Sequence, residues 1–283
     1  MPEAADIAWD LEPLVFGEGE AGALRLLAEA AELADTFAAT YAGKVADLDG
    51  AGLAAAVASL EELSDKIGRA GNYAMLRFST DTSDPANGAL LQRVQEQGAQ
   101  IETKLLFFEL EWAELDDDRA DVLLAAPGVE RARHHLKAAR RYRPHLLTEP
   151  EEKILTEKGV TGSSAWARLF GEQVSALTVP LPGEDEPVAL DVALSRLMSP
   201  DAEVRRTTAE AVTKTLEPGL RTRAFIYNTL MADKATDDRL RNYPSWIASR
   251  NLANEASDES VQALLDAVRN RYELAQRWYT LKG

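Results

Sequence analysis

The strongest constraint on the fold is a helix joint in the stretch LLTEPEEKILTEKGVTGSSAWARLFG, at residues 146–171. Thr148 and Glu151 have the spacing of a capping box, and Pro150 falls in the first turn, where its missing N–H removes no hydrogen bond. In a capping box, the threonine and glutamate side chains each accept a hydrogen bond from a backbone N–H that the helix leaves free. A helix is therefore predicted to begin at about Thr148.

The same stretch predicts where this helix ends and where the next one begins. Gly159 can adopt the left-handed backbone conformation that commonly ends a helix. A TGS turn follows at residues 161–163, and after it the apolar side chains return at helical spacing. The predicted apolar face of the second helix consists of Trp166, Leu169, Phe170 and Val174. We therefore expect a hydroxyl-rich turn between two amphipathic helices.

Three earlier segments have apolar residues at three- and four-residue spacing, which predicts long helices. The first two cover residues 20–41 and 53–78. The third has Asp84 as its N-cap, begins at Pro85 and reaches Trp112. Three consecutive helices of this length favour an antiparallel bundle.

The remainder of the chain is predicted to be helical apart from one hairpin. Weak alternation around a Pro-Gly-Glu-Asp turn favours two strands within residues 174–190. Ser199 is predicted to cap a helix that ends at the Glu-Pro-Gly sequence, and a final helix is predicted over residues 257–281. The helix predicted between them carries Leu220, Ala224, Tyr227 and Met231. The predicted fold class is mostly α, a multi-helix bundle-like architecture with one small β-hairpin near 174–190.

Composition narrows the classes of partner and site. The chain has a formal net charge of −16 and no dense basic block, so neither nucleic acid nor an anionic membrane is an expected partner. It has no cysteine, which rules out disulfides and thiolate metal sites and fits a reducing cytoplasm. It also has no apolar run of membrane-spanning length, and its first ten residues lack the apolar core of a signal peptide.

The three histidines cluster in sequence and raise the question of a metal site. They are His134, His135 and His145, with Glu130 or Glu149 as a further possible ligand. Adjacent side chains on a helix point about 100° apart, so at most one of the first two histidines can join Glu130 on one face. We therefore predict no metal site here, and interpret these residues as boundary histidines on a basic helix.

The polar segment 236–256 is the candidate for a ligand-facing surface, because it combines aromatic and cationic residues in a predicted loop. Its candidate substrate-binding residues are Tyr243, Trp246 and Arg250. The alternative interpretation is that the aromatic residues anchor a long loop to the core. The residues alone reveal no catalytic motif: GxSxG, a P-loop and HExxH are all missing from the sequence.

Several stretches, taken in order, resemble one known family. They are WDLEPL near the start, YAMLRFSTDTSDP at 73–85, FFELEW at 107–112, EPEEKILTEKGVTGSSAWARLF at 149–170, SPDAEVRR at 199–206 and AFIYNTLMADKATDDRLRNYPSWIASRNLANEASDE at 224–259. Together they resemble the oligoendopeptidase F family, zinc metallopeptidases related to thimet oligopeptidase. The chemistry of that family rests on HExxH and a downstream glutamate, which these 283 residues lack. The resemblance therefore implies the amino-terminal half of such an enzyme.

The resemblance also implies a division of the chain and a function. It implies an amino-terminal helical bundle at 1–115, an oligopeptidase F-type domain at 116–198, and the start of a peptidase domain at 199–283. Family members are cytoplasmic enzymes that hydrolyse short peptides, with a channel roofed by the amino-terminal half and a zinc site in the carboxy-terminal half. No catalytic or metal residue carries over to this chain, so by itself it is expected to be inactive.

A second class of function stays open from the sequence. The chain could instead be a stand-alone acidic helical interaction module without catalysis. The two readings differ in the last helix, at 257–281, because the amino-terminal half of an enzyme is expected to expose the apolar face of that helix, whereas a stand-alone module is expected to cover it.

Overall fold

A computed structural model describes residues 9–282, and helices make up most of this range. The α-helices are α1 Gly19–Tyr41, α2 Gly50–Thr80, α3 Pro85–Glu114, α4 Asp117–Leu124, α5 Arg133–Arg140, α6 Glu149–Thr161, α7 Ser163–Ser175, α8 Leu190–Arg196, α9 Ala202–Leu216, α10 Leu220–Leu240, α11 Ala248–Ala253, α12 Asp258–Arg269 and α13 Tyr272–Lys282. The strands are β1 Thr178–Val179 and β2 Val188–Ala189. The predicted mostly α fold class with one small hairpin is confirmed.

Local sequence signals set the starts of the two longest helices. Asp49 is the N-cap of α2, and its Oδ1 accepts a hydrogen bond from the Gly52 N–H at 2.7 Å. Asp84 is the N-cap of α3, as predicted, and its Oδ1 accepts from the Ala86 N–H at 2.8 Å. Each carboxylate satisfies one of the donors that a helix start leaves free, and its charge suits the positive end of the helix dipole.

The predicted bundle of three long helices is confirmed, since α1, α2 and α3 pack against one another and form the main core. One buried cluster includes Leu27, Leu63 and Leu90, one residue from each helix. A second cluster, nearer the carboxyl end of α3, includes Trp112 and connects α4 and α5 to the bundle. The Trp112 Nε1–H donates to the carbonyl oxygen of Leu136 at 2.9 Å, so even this large side chain leaves no polar atom unpaired.

The residues before α1 form a short 3-10 turn at Glu12–Val15 that packs on the bundle. Val15 is fully buried, and the Glu12 carboxylate accepts a hydrogen bond from the N–H of Gly19 at the start of α1. The prediction that the chain has no signal peptide rests on its first ten residues. Of these, residues 1–8 lie outside the described residues. Within residues 9–282, the helices are all too short or too polar to cross a bilayer.

The hairpin predicted within 174–190 is confirmed, although its strands are short. β1 and β2 pair antiparallel, with Thr178 opposite Ala189 and Val179 opposite Val188. Val179 is buried against α8 and α9 in a small third cluster. The hairpin therefore connects the α6–α7 pair to the helices that follow it.

The prediction that Gly159 ends α6 is wrong. The helix continues to Thr161, and Gly162 occupies the junction with φ −95° and ψ −119°. A Cβ atom on Gly162 would lie only 2.9 Å from the carbonyl oxygen of Lys158, which is too close for any other residue. Glycine is needed at this junction for steric reasons rather than for a left-handed φ.

Three other predicted boundaries are also wrong. Asp201, not Ser199, caps α9 through its side chain, which accepts from the Glu203 N–H at 2.8 Å. About half of the segment 236–256, predicted as a loop, is helical, since α10 runs to Leu240 and α11 covers Ala248–Ala253. The final helix is divided into α12 and α13, with a turn at Asn270 where α12 ends.

The residues Leu220, Ala224, Tyr227 and Met231, whose spacing predicted α10, lie on its exposed side. Leu220, Tyr227 and Met231 are exposed, whereas Ile226 is the apolar residue that α10 buries. Hydrophobic spacing identifies an amphipathic helix but not the element that covers each side, and the described neighbours of α10 lie on the side of Ile226.

Truncation of a core side chain is expected to lower the free energy of unfolding more than truncation of an exposed side chain on α10. Leu27→Ala should lower the free energy of unfolding by about 2–5 kcal/mol, because Leu27 is 1% exposed within the three-helix core. Leu220→Ala, at a side chain that is 63% exposed, should change it by less than about 0.5 kcal/mol. Urea unfolding followed by circular dichroism measures both, and a similar loss in both variants would contradict the assigned core.

Candidate functional site

The two stretches that stand out in the sequence face each other across one cleft. The cleft has a volume of about 760 Å³ and lies between the α6–α7 joint and the second half of α10. Gly159, Gly162 and Ser163 line one wall, and Asp233 and Asp237 line the other. The small residues leave the wall at the α6–α7 joint free of bulky side chains. The carboxylates on α10 provide hydrogen-bond acceptors on the opposite wall.

The predicted capping box at the start of α6 fixes the first wall. The Glu151 carboxylate accepts hydrogen bonds from the backbone N–H of Thr148 at 3.0 Å and from its hydroxyl at 2.7 Å. These bonds, the hydroxyl bond first, lower the pKa of the Glu151 carboxyl. The prediction that α6 begins at Thr148 is therefore confirmed.

A buried ion pair joins the two walls. Arg241, just after α10, donates from Nη1 to Oε1 of Glu152 at 2.7 Å and from Nη2 to Oε2 at 2.8 Å. Glu152 is 7% exposed and also accepts from the N–H of Leu147 at 3.0 Å, while the Arg241 Nε–H donates to Asp237 at 2.9 Å. This is the two-pronged geometry that arginine forms best with a carboxylate. The end of α10 is thereby fixed to the start of α6.

The ion pair shifts the titration of both partners. Burial raises the pKa of the Glu152 carboxyl, but the hydrogen bonds from Arg241 and Leu147 and the charge of Arg241 outweigh it, so the pKa lies below its ordinary value. The hydrogen bond to Glu152 raises the pKa of the Arg241 guanidinium. Both groups are therefore charged at neutral pH.

Tyr243 lies beside this ion pair. Its ring stacks on the imidazole of His145 with 3.9 Å between centroids, and the His145 Nδ1 lies 2.8 Å from the carbonyl oxygen of Arg241. Burial raises the pKa of the Tyr243 phenol. The stacking agrees with the anchoring alternative for Tyr243, which holds the chain after α10 against the loop before α6.

Trp246 and Arg250 lie further along the same segment and face solvent. Trp246 is 76% exposed, and Arg250 is exposed on α11. Lys234 of α10 forms an ion pair with Asp238 of the same helix and donates a 3.0 Å hydrogen bond to the hydroxyl of Ser249, which connects α11 to α10. The role of Tyr243, Trp246 and Arg250 in substrate binding stays a prediction.

The three histidines have separate surroundings. His134 Nε2 lies 2.9 Å from a Glu255 oxygen, His145 lies against Tyr243, and His135 is exposed on α5. Within residues 9–282 no three histidine, aspartate or glutamate side chains come together as a metal would require. The donor groups in this part of the chain therefore do not fit a zinc ion.

Sequence reasoning missed the charged residues that position the site, Glu152, Arg241, Lys234 and Asp238. Glu152 is one of three acidic residues in the first turn of α6, and nothing local distinguishes it from its neighbours. Arg241 lies 89 residues further along the chain. A single sequence contains no signal that would pair residues so far apart.

Comparison with known proteins shows which proteins this chain is similar to. Residues 111–178 match the family model described as Oligopeptidase F. Group B oligopeptidase PepB of Streptococcus agalactiae is 23% identical over 226 residues, which cover 78% of this chain and 38% of PepB. Oligopeptidase PepF of Bacillus subtilis is 24% identical over 249 residues, which cover 86% of this chain and 37% of PepF. The chain thus spans less than two fifths of these relatives.

Solved structures show the same fold. The crystal structure of oligoendopeptidase-F from Enterococcus faecium matches with a TM-score of 0.80 and 23% identity, covering 92% of this chain and 52% of that one. A putative peptidase from Chlamydophila abortus matches with a TM-score of 0.57 and 18% identity, covering 98% of this chain and 47% of that one. The fold is therefore that of the matched part of oligoendopeptidase-F from Enterococcus faecium. The resemblance to the oligoendopeptidase F family is confirmed, and the matched shares are consistent with an amino-terminal half.

Loss of the cation from the buried pair is expected to destabilise the chain. Arg241→Met should lower the free energy of unfolding by about 1–3 kcal/mol near neutral pH, because the buried Glu152 carboxylate loses its main partner. Lys153→Met is the matched control, since it removes a cation from the exposed pair with Glu149 and should cost about 0.5 kcal/mol or less. Equal losses in urea unfolding would show that burial of Glu152 is unimportant.

The same pair predicts a pH dependence. The pKa of Glu152 is lowered in the folded chain, so its contribution is complete above the unfolded value of about 4.3 and is lost as pH falls through the folded pKa. The stability difference between wild type and Glu152→Gln should therefore be constant near neutral pH and shrink below about pH 4. Urea titrations at a series of pH values measure it, and a difference that persists in strong acid would be the contrary result.

Proposed function

We propose that this chain is the amino-terminal, channel-forming part of a cytoplasmic zinc-dependent oligoendopeptidase that hydrolyses short peptides. The observation that supports it most is the likeness of 92% of the chain to oligoendopeptidase-F from Enterococcus faecium, together with the Oligopeptidase F match at residues 111–178. Residues 199–283 would then form the start of the peptidase domain.

In this proposal the chain binds and orients peptides, and a carboxy-terminal half supplies catalysis. The sequence has no HExxH, and the donor set of its described residues does not fit zinc. The zinc ligands and the general base would therefore lie in the carboxy-terminal half, which is the proposed partner. No reaction step is assigned to this chain.

The cleft between the α6–α7 joint and α10 is the proposed part of the peptide channel. The small residues Gly159 and Gly162 leave room in the cleft, and the carboxylates of Asp233 and Asp237 can accept hydrogen bonds from the N–H groups of a peptide. Trp246 and Arg250 lie beyond the lining of the cleft, where Trp246 offers an exposed aromatic surface and Arg250 offers a cation for a peptide carboxylate. A narrow cleft of this kind would admit short peptides and exclude folded proteins.

The alternative, a stand-alone acidic interaction module, has less support. Such a module would cover its own apolar side chains, but α12 and α13 have no buried residue within the described range. We therefore favour the amino-terminal part of an oligopeptidase.

Zinc-dependent reconstitution tests the function. The chain alone should not cleave short fluorogenic peptides. When it is joined to a carboxy-terminal half that contains HExxH, cleavage should appear, stop on addition of a chelator and return with zinc. Lack of cleavage by a folded polypeptide that contains both halves would refute the proposed function.

Substitution of the exposed segment tests the channel assignment. In the active, joined polypeptide, alanine at Tyr243, Trp246 and Arg250 together should lower kcat/KM for short peptides by about tenfold, which corresponds to the loss of about 1.4 kcal/mol of binding. Trp9→Ala, at an exposed aromatic residue of the segment before α1, is the control and should leave kcat/KM unchanged. An unchanged kcat/KM in the triple variant would remove these three residues from the channel.

A further inference from the structure

A second cavity lies in the amino-terminal bundle, apart from the cleft. It has a volume of about 240 Å³ and lies between α2, α3 and the segment that contains α5. None of the described residues that line this cavity also lines the cleft at the α6–α7 joint. The cavity is therefore a separate candidate site, and an inference about it goes beyond the proposed function and does not depend on it.

The inner surface of this cavity is apolar. Its lining includes the buried side chains of Phe108, Trp112 and Leu136 and the partly buried Val57 and Leu60. The Trp112 indole N–H already donates to the carbonyl oxygen of Leu136, so it is not free to bind a ligand. A surface of this kind holds water poorly, because an ordered water needs about two to four polar partners. It therefore favours an apolar group over solvent.

The volume suits a single aromatic ring. An apolar cavity of about 150 Å³ can accept benzene, so the larger cavity here has space for a ring and a short stem. Phe108 and Trp112 also favour a ring, because aromatic pairs contribute more to binding than the area that they bury. Size and lining thus select an aromatic group over a long aliphatic one.

Charged side chains of both signs line the same cavity. Glu61 of α2 and Glu109 of α3 supply carboxylates, and Arg131, in the turn before α5, supplies a guanidinium. All three residues are exposed, so their charges lie on the solvent side of the apolar lining. Within residues 9–282 none of the three takes part in an ion pair, although Glu62, next to Glu61, lies 3.9 Å from Lys66. The mouth of the cavity therefore offers both an anionic and a cationic partner to a ligand.

These features together match the chemistry of an aromatic amino acid, which has a ring on a short stem, an ammonium group and a carboxylate. We propose that the cavity binds a free aromatic amino acid, of which phenylalanine is the simplest. The ring lies against Phe108 and Trp112. The ligand carboxylate accepts hydrogen bonds from the Arg131 guanidinium, and the ligand ammonium group donates to Glu61 or Glu109.

The mixed charges at the mouth select against ligands that have one charge. An aromatic amine would meet the two glutamates favourably but would also meet the like charge of Arg131, and an aromatic acid would meet the like charges of Glu61 and Glu109. A zwitterion has an opposite charge for each of these groups. The neutral imidazole of His135, also in the lining, can donate or accept a hydrogen bond with any of the three.

Nuclear magnetic resonance of the indole N–H groups locates the ligand, because the chain has five tryptophans and Trp112 is the one that lines this cavity. Addition of phenylalanine should shift the Trp112 signal and leave those of Trp166 and Trp246 in place. Glycine, which has the same two charges but no ring, is the control and should shift none of them. A chain in which no signal moves, or in which Trp166 or Trp246 moves instead, would overturn the proposal.

Calorimetric titration with three ligands tests the role of the charges. Phenylalanine should bind at least about fivefold more tightly than phenethylamine, which lacks the carboxylate, and than 3-phenylpropionate, which lacks the ammonium group. Equal affinity for phenylalanine and either of the other two ligands would remove the corresponding charged contact and overturn the assignment to an amino acid.

Substitution of Arg131 separates a direct contact from a structural effect. Arg131→Gln should weaken phenylalanine binding by about fivefold without weakening phenethylamine binding. Lys137→Gln, which removes an exposed cation of α5 outside the lining, is the matched control and should change neither affinity. Equal loss of both ligands in Arg131→Gln would mean that Arg131 supports the cavity rather than the ligand carboxylate, contrary to the proposal.

The two carboxylates are tested in the same way. Glu61→Gln with Glu109→Gln should weaken phenylalanine binding by about fivefold without weakening 3-phenylpropionate binding. Glu62→Gln, at the neighbouring residue outside the lining, is the control and should leave both affinities unchanged. Unchanged phenylalanine binding in the double variant would exclude the proposed ammonium contact.

Discussion

The arrangement of the cleft depends on the ion pair between Arg241 and Glu152. A carboxylate that is 7% exposed is costly to leave without a cation, and the effective penalty is several kcal/mol. Once α6 folds with Glu152 facing inward, the end of α10 must therefore lie where Arg241 can reach it. The stacking of Tyr243 on His145 adds a second contact between the same two segments. An ion pair of this kind specifies one arrangement more than it adds to total stability.

The three-helix bundle supplies the rigid side of the cleft. α6 packs along α3, and the Arg168 guanidinium of α7 donates to the side-chain oxygen of Gln92 on α3 at 2.9 Å. The joint at Gly162 is therefore held by the bundle. The opposite wall, α10, depends on Arg241 and on its contacts with α7, including the edge-to-face pair of Trp166 and Phe225. One wall is thus built into the core, and the other is attached to it by a few specific contacts.

The features that the sequence predicted are those that depend on near neighbours. The caps at Asp84 and Thr148 involve residues within three positions, so spacing alone is enough to find them. Gly162 was missed in favour of Gly159 because the deciding contact is with a carbonyl oxygen in the folded turn, which the residue types do not reveal. The pairing of Arg241 with Glu152 could not be predicted either, because the two residues are 89 positions apart and meet only in the folded chain.

The same limit explains why the spacing that predicted α10 did not reveal which of its sides is covered. Hydrophobic periodicity predicts that a helix has an apolar stripe, but it does not predict which element packs on that stripe. For α1, α2 and α3 the covering elements are near in sequence, so the predicted bundle is right. For α12 and α13, with 12 and 11 residues, no described element covers the stripe. Isolated helices of this length are only marginally stable in water, so the periodicity of α12 and α13 predicts two amphipathic helices but does not identify what packs against them.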